Sequence, residues 1–214
     1  IPMPESMFEF EYGDGAAAFL IGDSNVVISI ESMISVADNV TGPWKRSKDP
    51  YIRHFEPKHE NEYGFRKNLI TGIQALFTQS KVEPKVVRKA AIYSPDPRAG
   101  GQIATQVGIP SQAVEDSPFL EIGNTGNAFA GMTLINALRR GRTGDLVVFA
   151  SYGDGADAFL MKIQDKNALK SLKSTTQGVV GYQRSMIPLR NYPTFLSMKK
   201  KIEKERYTRK SSPV

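Results

Sequence analysis

The stretch Tyr12-Gly-Asp-Gly-Ala-Ala-Ala-Phe-Leu20 recurs 140 residues later as Tyr152-Gly-Asp-Gly-Ala-Asp-Ala-Phe-Leu160, and eight of the nine residues are identical. A repeat of this length indicates two copies of one structural unit. About 150 residues precede the second copy, which is enough for a small α/β unit, whereas only eleven precede the first. The sequence therefore predicts the end of one unit followed by the whole of another.

Composition limits the classes of protein to consider. The chain has 214 residues, of which 40% are apolar and 23% charged, as in a soluble globular protein. No apolar run approaches the roughly 20 residues that span a bilayer, and the first residues are not typical of a signal peptide. We therefore expect no membrane partner and a cytoplasmic location. The chain has no cysteine, which excludes disulfides, zinc–thiolate sites and a thiol nucleophile from this chain. We expect no metal site.

The positive charge is concentrated at one end. Net charge is +6, and the segment from Lys199 to Lys210 contains seven basic and two acidic residues. This basic tail is either a docking segment for an acidic partner, a phosphate-bearing ligand or nucleic acid, or a solvated terminal helix, and we expect it to dock onto another subunit. Nucleic acid is not expected as a partner, because no aromatic or basic pattern elsewhere supports it. The aromatic residues of Tyr192-Pro-Thr-Phe-Leu196 suggest a packed anchor before the tail.

Apolar runs and turn residues predict the first elements. Two strands are expected at 16–21 and 26–30, with a turn at 22–25, and we expect them to belong to a sheet whose other strands are absent. A long surface excursion follows at 37–62, with three prolines and the only tryptophan, Trp44.

An alternation of helix and strand patterns follows and predicts a layered α/β sandwich. The predicted order is helix, strand, helix, strand, helix, strand, strand, over 65–77, 90–93, 98–107, 119–122, 127–140, 145–151 and 157–163. The segment 119–122 is either a short strand or an extended approach to the next helix.

Three polar loops follow the predicted strands, at 93–98, 123–127 and 151–155. Ligands in open α/β sheets usually bind at such ends, so we expect Tyr93, Asn124 and Ser151 to converge on one pocket. Asn124 either caps the helix that follows or holds a substrate carbonyl.

The sequence resembles a known family in Glu121-Ile-Gly-Asn-Thr-Gly126 and in Gly144-Asp-Leu-Val-Val-Phe-Ala-Ser-Tyr-Gly-Asp-Gly-Ala156. These motifs are similar to the C-terminal half of 3-hydroxy-3-methylglutaryl-CoA synthases, closest to the archaeal type. More broadly they resemble the thiolase superfamily, including ketoacyl synthase III. The stretch Tyr192-Pro-Thr-Phe-Leu-Ser-Met-Lys199 also resembles the end of the archaeal synthases.

The resemblance implies a thiolase-like α-β-α sandwich with a mixed sheet, one complete half and the final strands of the other. It divides the chain into a terminal strand pair, a surface excursion, the second thiolase half, a C-terminal extension and the basic tail. These segments are 1–36, 37–62, 63–164, 165–198 and 199–214.

The resemblance also assigns roles to residues. In the family, a cysteine in the first half takes the acyl group, while a histidine and an asparagine in the second half bind the incoming thioester. Asn124 matches the asparagine, and Tyr93 occupies the histidine position. A tyrosine with an ordinary pKa near 10 is a poor base, but it can donate a hydrogen bond to an enolate oxygen. The further candidates for substrate binding are Ser151, Tyr152, Gly153, Gly123 and Arg98.

Two functions follow from the resemblance. The first is a subunit or fragment of an acyl-CoA acyltransferase that catalyses a hydroxymethylglutaryl-CoA synthase-like condensation. It needs a thiolase-like partner chain for the cysteine, and a coenzyme A thioester is its substrate, with no cofactor. The alternative is a degenerate thiolase-fold protein that acts as a structural or acyl-CoA-binding partner. An OB-fold/zinc-ribbon protein is a possible further partner, and we expect the chain not to be a stable monomer. His54 or His59 would be a less expected source of a base.

Overall fold

A computed structural model of the chain describes residues 2–6, 8–40, 42–175 and 177–200. The four strands are β1 (Ile28–Ala37), β2 (Lys89–Ile92), β3 (Leu146–Tyr152) and β4 (Gly155–Ile163). The helices are α1 (Pro57–His59), α2 (Lys67–Ser80), α3 (Ala99–Gln106), α4 (Phe119–Ile122), α5 (Asn127–Arg140), α6 (Lys166–Thr175), α7 (Gly178–Arg184) and α8 (Tyr192–Met198). A π-helical segment, Glu60–Arg66, joins α1 to α2.

The strands form one mixed sheet in the order β1-β4-β3-β2. Strand β4 is antiparallel to both β1 and β3, whereas β2 and β3 are parallel. The parallel pair is joined by a crossover that contains α3, α4 and α5, as parallel connections require. The carboxyl ends of β2 and β3 therefore lie at the same edge of the sheet.

Helices cover both faces of the sheet. Leu69 and Ile73 of α2 belong to a core cluster with alternate residues of the strands, including Val148 and Leu160. On the opposite face of the sheet, Leu134 of α5 belongs to a second cluster with the intervening strand residues, including Val147 and Met161. This arrangement confirms the predicted α-β-α sandwich with a mixed sheet.

Most predicted elements are confirmed, but the first strand is not. Residues 16–21 run without strand pairing to any described residue, and Leu20 is fully exposed. The segment instead crosses α5 at Gly131, where an added Cβ would lie 2.9 Å from Ala17 Cβ. Apolar composition alone does not supply a strand with the backbone partner that it needs.

The second predicted strand was placed in the wrong sheet. Strand β1 begins at Ile28 and pairs along its length with β4, so its neighbours are part of this structure. The predicted short strand at 119–122 is also wrong, because α4 forms there directly after Pro118, whose ring fixes a helix-compatible φ. The division of the chain into the five segments given above stays a prediction.

The excursion between β1 and α1 contains little regular structure. Its main feature is an antiparallel bridge between Trp44 and Arg53, which closes a loop of the chain. Further along, α8 carries the expected aromatic anchor, since Tyr192 Oη donates to the buried Glu9 carboxylate at 2.6 Å. Lys199 forms an ion pair with Asp14, and the basic tail beyond residue 200 lies outside the described residues. Within the described part of the chain, no helix is long and apolar enough to cross a membrane.

Candidate functional site

A cavity of about 810 Å³ lies at the sheet edge where β2 and β3 end. Tyr93 directly follows β2, and Ser151 and Tyr152 end β3, so the parallel pairing brings their side chains to the same edge. Asn124 reaches the cavity from the loop before α5. The predicted convergence of Tyr93, Asn124 and Ser151 is therefore confirmed, and Tyr152 and Gly153 also line the cavity. The roles of these residues stay predictions.

Asn124 uses both ends of its amide. Its Nδ2 donates a 2.8 Å hydrogen bond to Tyr93 Oη, and its Oδ1 accepts a 2.9 Å bond from the backbone amide of Gly126. Gly126, and not Asn124, is the N-cap residue of α5, so the helix-cap interpretation of Asn124 is wrong. The two bonds instead fix the amide, which is 5% exposed, with its NH₂ group towards the phenol.

Tyr93 is held as a neutral phenol. Burial raises its pKa, the hydrogen bond from Asn124 lowers it, and the nearby Glu60 carboxylate raises it again. Because its oxygen accepts from Asn124, its own hydrogen is left to donate to another atom. Tyr93 can therefore act as a hydrogen-bond donor to a developing negative charge, but not as a base at neutral pH.

The first copy of the repeat also contributes to this site. The backbone N–H of Asn124 donates to the carbonyl oxygen of Glu11 at 2.6 Å, and the backbone N–H of Gly13 donates to the carbonyl oxygen of Asn124 at 3.1 Å. Gly123 makes this close approach possible, since its φ is +71° and an added Cβ would lie 2.9 Å from Glu11 O. Gly123 therefore seats the first copy against the loop, and it lies outside the cavity lining.

The second copy contributes Tyr152, whose ring lies among aromatic neighbours. Its hydroxyl is buried and has no hydrogen-bond partner among the described residues. The hydroxyl lies against Gly64 of the π-helical segment, and a Cβ added at Gly64 would clash with it. Burial raises the pKa of Tyr152 to about 12.

Arg98 is not brought into the cavity. It is exposed just before α3, and its backbone amide donates to Asp96 at 2.7 Å. The histidines are not part of the lining either. His54 stacks on Phe8, with 4.0 Å between the ring centroids, and its Nε2 lies 3.1 Å from Tyr12 Oη. Seen from the cavity, which Tyr12 lines, His54 therefore lies behind Tyr12. The described residues contain no cluster suited to a metal ion.

Sequence reasoning missed Glu60, which lies just behind the cavity wall. Its Oε1 would be 2.8 Å from a Cβ added at Gly42, a lining residue whose other neighbour is the Tyr152 ring. Burial raises the pKa of Glu60 to about 7. Its charge in turn raises the pKa values of Tyr12, Tyr93 and Tyr152. One glutamate in a strongly charged stretch gives no signal in the sequence, because its burial depends on the π-helical turn that carries it.

No protein-family model matches the chain. Hydroxymethylglutaryl-CoA synthases of Caldivirga maquilingensis and Pyrococcus horikoshii are 28% and 29% identical to it over 166 and 169 residues. Each of these matches covers 76% of this chain and 47% of the relative. The Methanopyrus kandleri synthase is 25% identical over 205 residues, covering 94% of this chain and 57% of its own length. The chain thus spans about half the length of the curated relatives that it matches.

Solved structures agree with the sequence comparison. An HMG-CoA synthase complexed with CoA aligns with a TM-score of 0.60 and 16% identity, covering 86% of this chain and 50% of that one. The 3-oxoacyl-(acyl carrier protein) synthase III of Pseudomonas aeruginosa aligns with a TM-score of 0.57 and 16% identity, covering 68% and 49%. The chain therefore has a thiolase-like fold, and its sequence is similar to the hydroxymethylglutaryl-CoA synthases.

Proposed function

We propose that this chain supplies the asparagine-bearing half of an acyl-CoA acyltransferase that carries out a hydroxymethylglutaryl-CoA synthase-like condensation. The observation that carries the proposal is the 2.8 Å bond from Asn124 to Tyr93 at the cavity, beside the Ser151–Gly153 loop. A fixed amide and a neutral phenol are hydrogen-bond donors suited to a thioester carbonyl. Both are already held in position before a substrate binds. Similarity to the synthases supports the same reaction class.

In this proposal the phenol of Tyr93 stabilises the negative charge of the enolate and does not act as the base. Condensation begins when a base on the proposed partner chain takes a proton from the carbon next to a thioester carbonyl, which leaves negative charge on the carbonyl oxygen. Tyr93 donates its hydrogen bond to that oxygen, and Asn124 holds the phenol in place through the lone pair on Oη. The enolate carbon then forms a bond to the ketone carbon of the second substrate, whose C=O π bond opens to an alkoxide, and the alkoxide takes a proton back from the same base. Loss of one such donor lowers kcat by roughly 10²–10³ in other enzymes.

The nucleophilic cysteine belongs to a thiolase-like partner chain in this proposal, since this sequence has none. The described residues expose Phe19, Leu20 and Ile21 in succession, and such an extended apolar stretch is suited to pairing with a neighbouring sheet. Coverage of half the relatives' length is consistent with a missing counterpart. An OB-fold/zinc-ribbon protein that contacts the basic tail, and a cytoplasmic location, are further parts of the proposal.

The identity of residue 93 supports a second function. Tyr93 stands at the position where the resemblance expects a histidine, and its raised pKa removes it as a base. A chain with this site can bind acyl-CoA without turning it over. The alternative is therefore a degenerate thiolase-fold protein that binds acyl-CoA within a larger assembly.

Calorimetric titration with acetoacetyl-pantetheine tests the binding that both functions share. We expect Asn124→Ala to weaken binding about tenfold, as the loss of a positioned hydrogen-bonding group does. The matched control is Asn127→Ala, which removes an exposed amide from the same cavity lining and should leave binding unchanged. Equal affinities for the wild type and Asn124→Ala would contradict the proposal.

Assay of the natural complex separates the two functions. Chains that co-purify with this protein would be assayed with acetyl-CoA and acetoacetyl-CoA for condensation. Turnover that falls by about 10² in Tyr93→Phe supports the acyltransferase. Thioester binding without turnover in a complex that contains a cysteine-bearing half supports the binding protein instead.

A further inference from the structure

A second cavity, of about 350 Å³, lies next to the first one. Tyr12, Gly13 and Ile52 line both cavities, so these residues form the partition between them. The rest of the second lining comes from residues 2–14 and 189–199, and its apolar members are Pro2, Pro4, Leu189, Phe195 and Met198. A cavity of this volume is large enough to hold a small molecule or part of one.

The charged side chains that the described residues contribute to this second lining are already paired. The Glu9 carboxylate accepts from Tyr192 Oη at 2.6 Å and from the backbone N–H of Glu5 at 2.7 Å. Lys199 forms an ion pair with Asp14. A charged ligand would have to break these contacts, whereas an apolar group can lie against the apolar side chains of the lining. The second cavity is therefore suited to an uncharged, apolar group.

Contacts at both of its ends hold Tyr12 in the partition. Its backbone forms a parallel bridge with Asn124, and its hydroxyl oxygen lies 3.1 Å from Nε2 of His54. The His54 ring in turn stacks on Phe8, with 4.0 Å between the ring centroids. Turning the tyrosine side chain aside would lose the contact with His54, so this contact keeps the partition closed.

The partition adjoins the Asn124–Tyr93 pair. The backbone N–H of Gly13 donates to the carbonyl oxygen of Asn124 at 3.1 Å, and Tyr93 lines the first cavity together with Tyr12. An acyl chain that starts at this pair and extends towards the partition therefore meets the Tyr12 ring after a few carbon atoms. The apolar surface of the second cavity lies beyond that ring.

We propose that Tyr12 sets the length of the acyl group that the first cavity accepts, and that the second cavity takes the outer carbons of a longer chain once the ring is removed. This role of Tyr12 rests on the proposed function, since it concerns the acyl group of the same thioester. The wild-type chain thus selects short acyl groups such as acetoacetyl. Tyr12 determines specificity because its ring stands between the acyl group and the apolar surface beyond it.

Calorimetric titration of the full chain with 3-oxoacyl-pantetheines of four, six and eight acyl carbons measures this limit, and the four-carbon member is acetoacetyl-pantetheine. We expect the affinity of the wild type to fall at least about fivefold from four to eight carbons, because extra methylene groups do not fit a space that is already filled. The eight-carbon thioester should bind Tyr12→Ala at least about tenfold more tightly than the wild type, since each buried methylene group strengthens binding about fourfold.

Three further variants test whether the gain depends on the second cavity. Tyr12→Ala combined with Leu189→Trp keeps the opening but fills the space beyond it, so the gain for the eight-carbon thioester should be lost. Trp44→Ala enlarges the first cavity alone, and the ratio of the eight-carbon to the four-carbon affinity should stay as in the wild type. Ile52→Ala opens the same partition with a smaller change of volume, and it takes the place of Tyr12→Ala if that variant does not fold.

The outcomes separate this inference from the proposed function. If acetoacetyl-pantetheine binds but neither Tyr12→Ala nor Ile52→Ala improves binding of the eight-carbon thioester, the partition is wrong and the proposed function stands. Equal affinity of the wild type for all three lengths, or the same gain in Trp44→Ala, would also overturn the role of Tyr12. Failure of all three thioesters to bind the wild type would overturn the proposed function and this inference together.

Discussion

The two copies of the repeat have nearly the same sequence and different structures. Residues 155–160 of the second copy lie in β4, between β1 and β3, and Leu160 is 2% exposed. The matching residues of the first copy have no strand partner among the described residues, and Leu20 is fully exposed. An identical local pattern therefore becomes a buried strand only where neighbouring strands supply its backbone partners.

The glycines of the two copies also have different surroundings. In the first copy, a Cβ added at Gly13 would lie 1.6 Å from Ile122 O, because the loop packs there against the Asn124 segment. In the second copy, a Cβ added at Gly153 would meet no atom of the described residues within 4 Å, whereas one added at Gly155 would lie 2.0 Å from Val36 O. The first copy thus needs glycine at both positions, since a Cβ added at Gly15 would also lie 2.8 Å from Thr125 Cγ2, whereas the second copy needs it only at Gly155.

The largest expected effect comes from the matched leucines. Leu160→Ala should lower the free energy of unfolding by about 2–5 kcal/mol, because it removes buried methyl groups from the core. Leu20→Ala should change it by less than about 0.5 kcal/mol in the chain alone. Chemical denaturation of both variants measures the difference. Similar losses in the two would mean that the first copy is packed like the second.

The glycines give the next effect. Gly155→Ala should lower the free energy of unfolding by about 2–3 kcal/mol, since its φ of +129° and its contact with the Val36 carbonyl both oppose a side chain. Gly153→Ala should be nearly neutral and serves as the control within the same motif. Thermal unfolding would show the contrast, and an equal shift in Tm for both variants would contradict the pairing of β1 with β4.

Glu60 faces the tyrosines of both copies and predicts a dependence on pH. Burial raises its pKa from 4.5 to about 7, so the folded chain keeps this proton at pH values where the unfolded chain has lost it. Stability should therefore fall as pH rises from about 4.5 to about 7, and the loss is complete above that window.

Glu60→Gln should remove this penalty. At pH 8 the variant should be more stable than the wild type by about 1–2 kcal/mol, allowing for solvent screening of a half-buried group, and near pH 4 the two should be alike. Glu62→Gln, an exposed change two residues away, is the matched control. Parallel pH profiles for the wild type and Glu60→Gln would contradict the burial of this carboxyl.

The smallest effects distinguish the two motif tyrosines. Tyr12→Phe loses the 3.1 Å contact with His54 and should cost about 0.5–1.5 kcal/mol. Tyr152→Phe removes a buried hydroxyl that has no partner among the described residues, so it should be neutral or slightly stabilising. Chemical denaturation measures the free energy of unfolding of both variants. A larger loss of stability in Tyr152→Phe would mean that the Tyr152 hydroxyl has a partner.

The sequence was sufficient for the elements whose pattern is local. The helix at 127–140 and the hairpin of β3 and β4 were predicted because their periodicity and flanking glycines lie within each segment. Convergence of Tyr93 and Ser151 followed from their positions at the ends of the parallel strands β2 and β3. Asn124 joins them although the strand predicted before it is wrong, because α4 precedes it.

The remainder depended on tertiary contacts that no local pattern contains. Residues 16–21 have a strand-like composition but lie against α5, and β1 is defined by its pairing with β4. Arg98 follows a strand as the site residues do, yet it is exposed, because Asp96 turns the chain into α3. The burial of Glu60 depends on a π-helical turn that the sequence did not predict.

A crystal structure of the chain with acetoacetyl-CoA would test the central claim most directly. The account predicts that the thioester lies in the cavity between the two copies of the repeat, with a carbonyl oxygen within hydrogen-bonding distance of Tyr93 Oη. A ligand in the reverse orientation, or one bound outside this cavity, would contradict it.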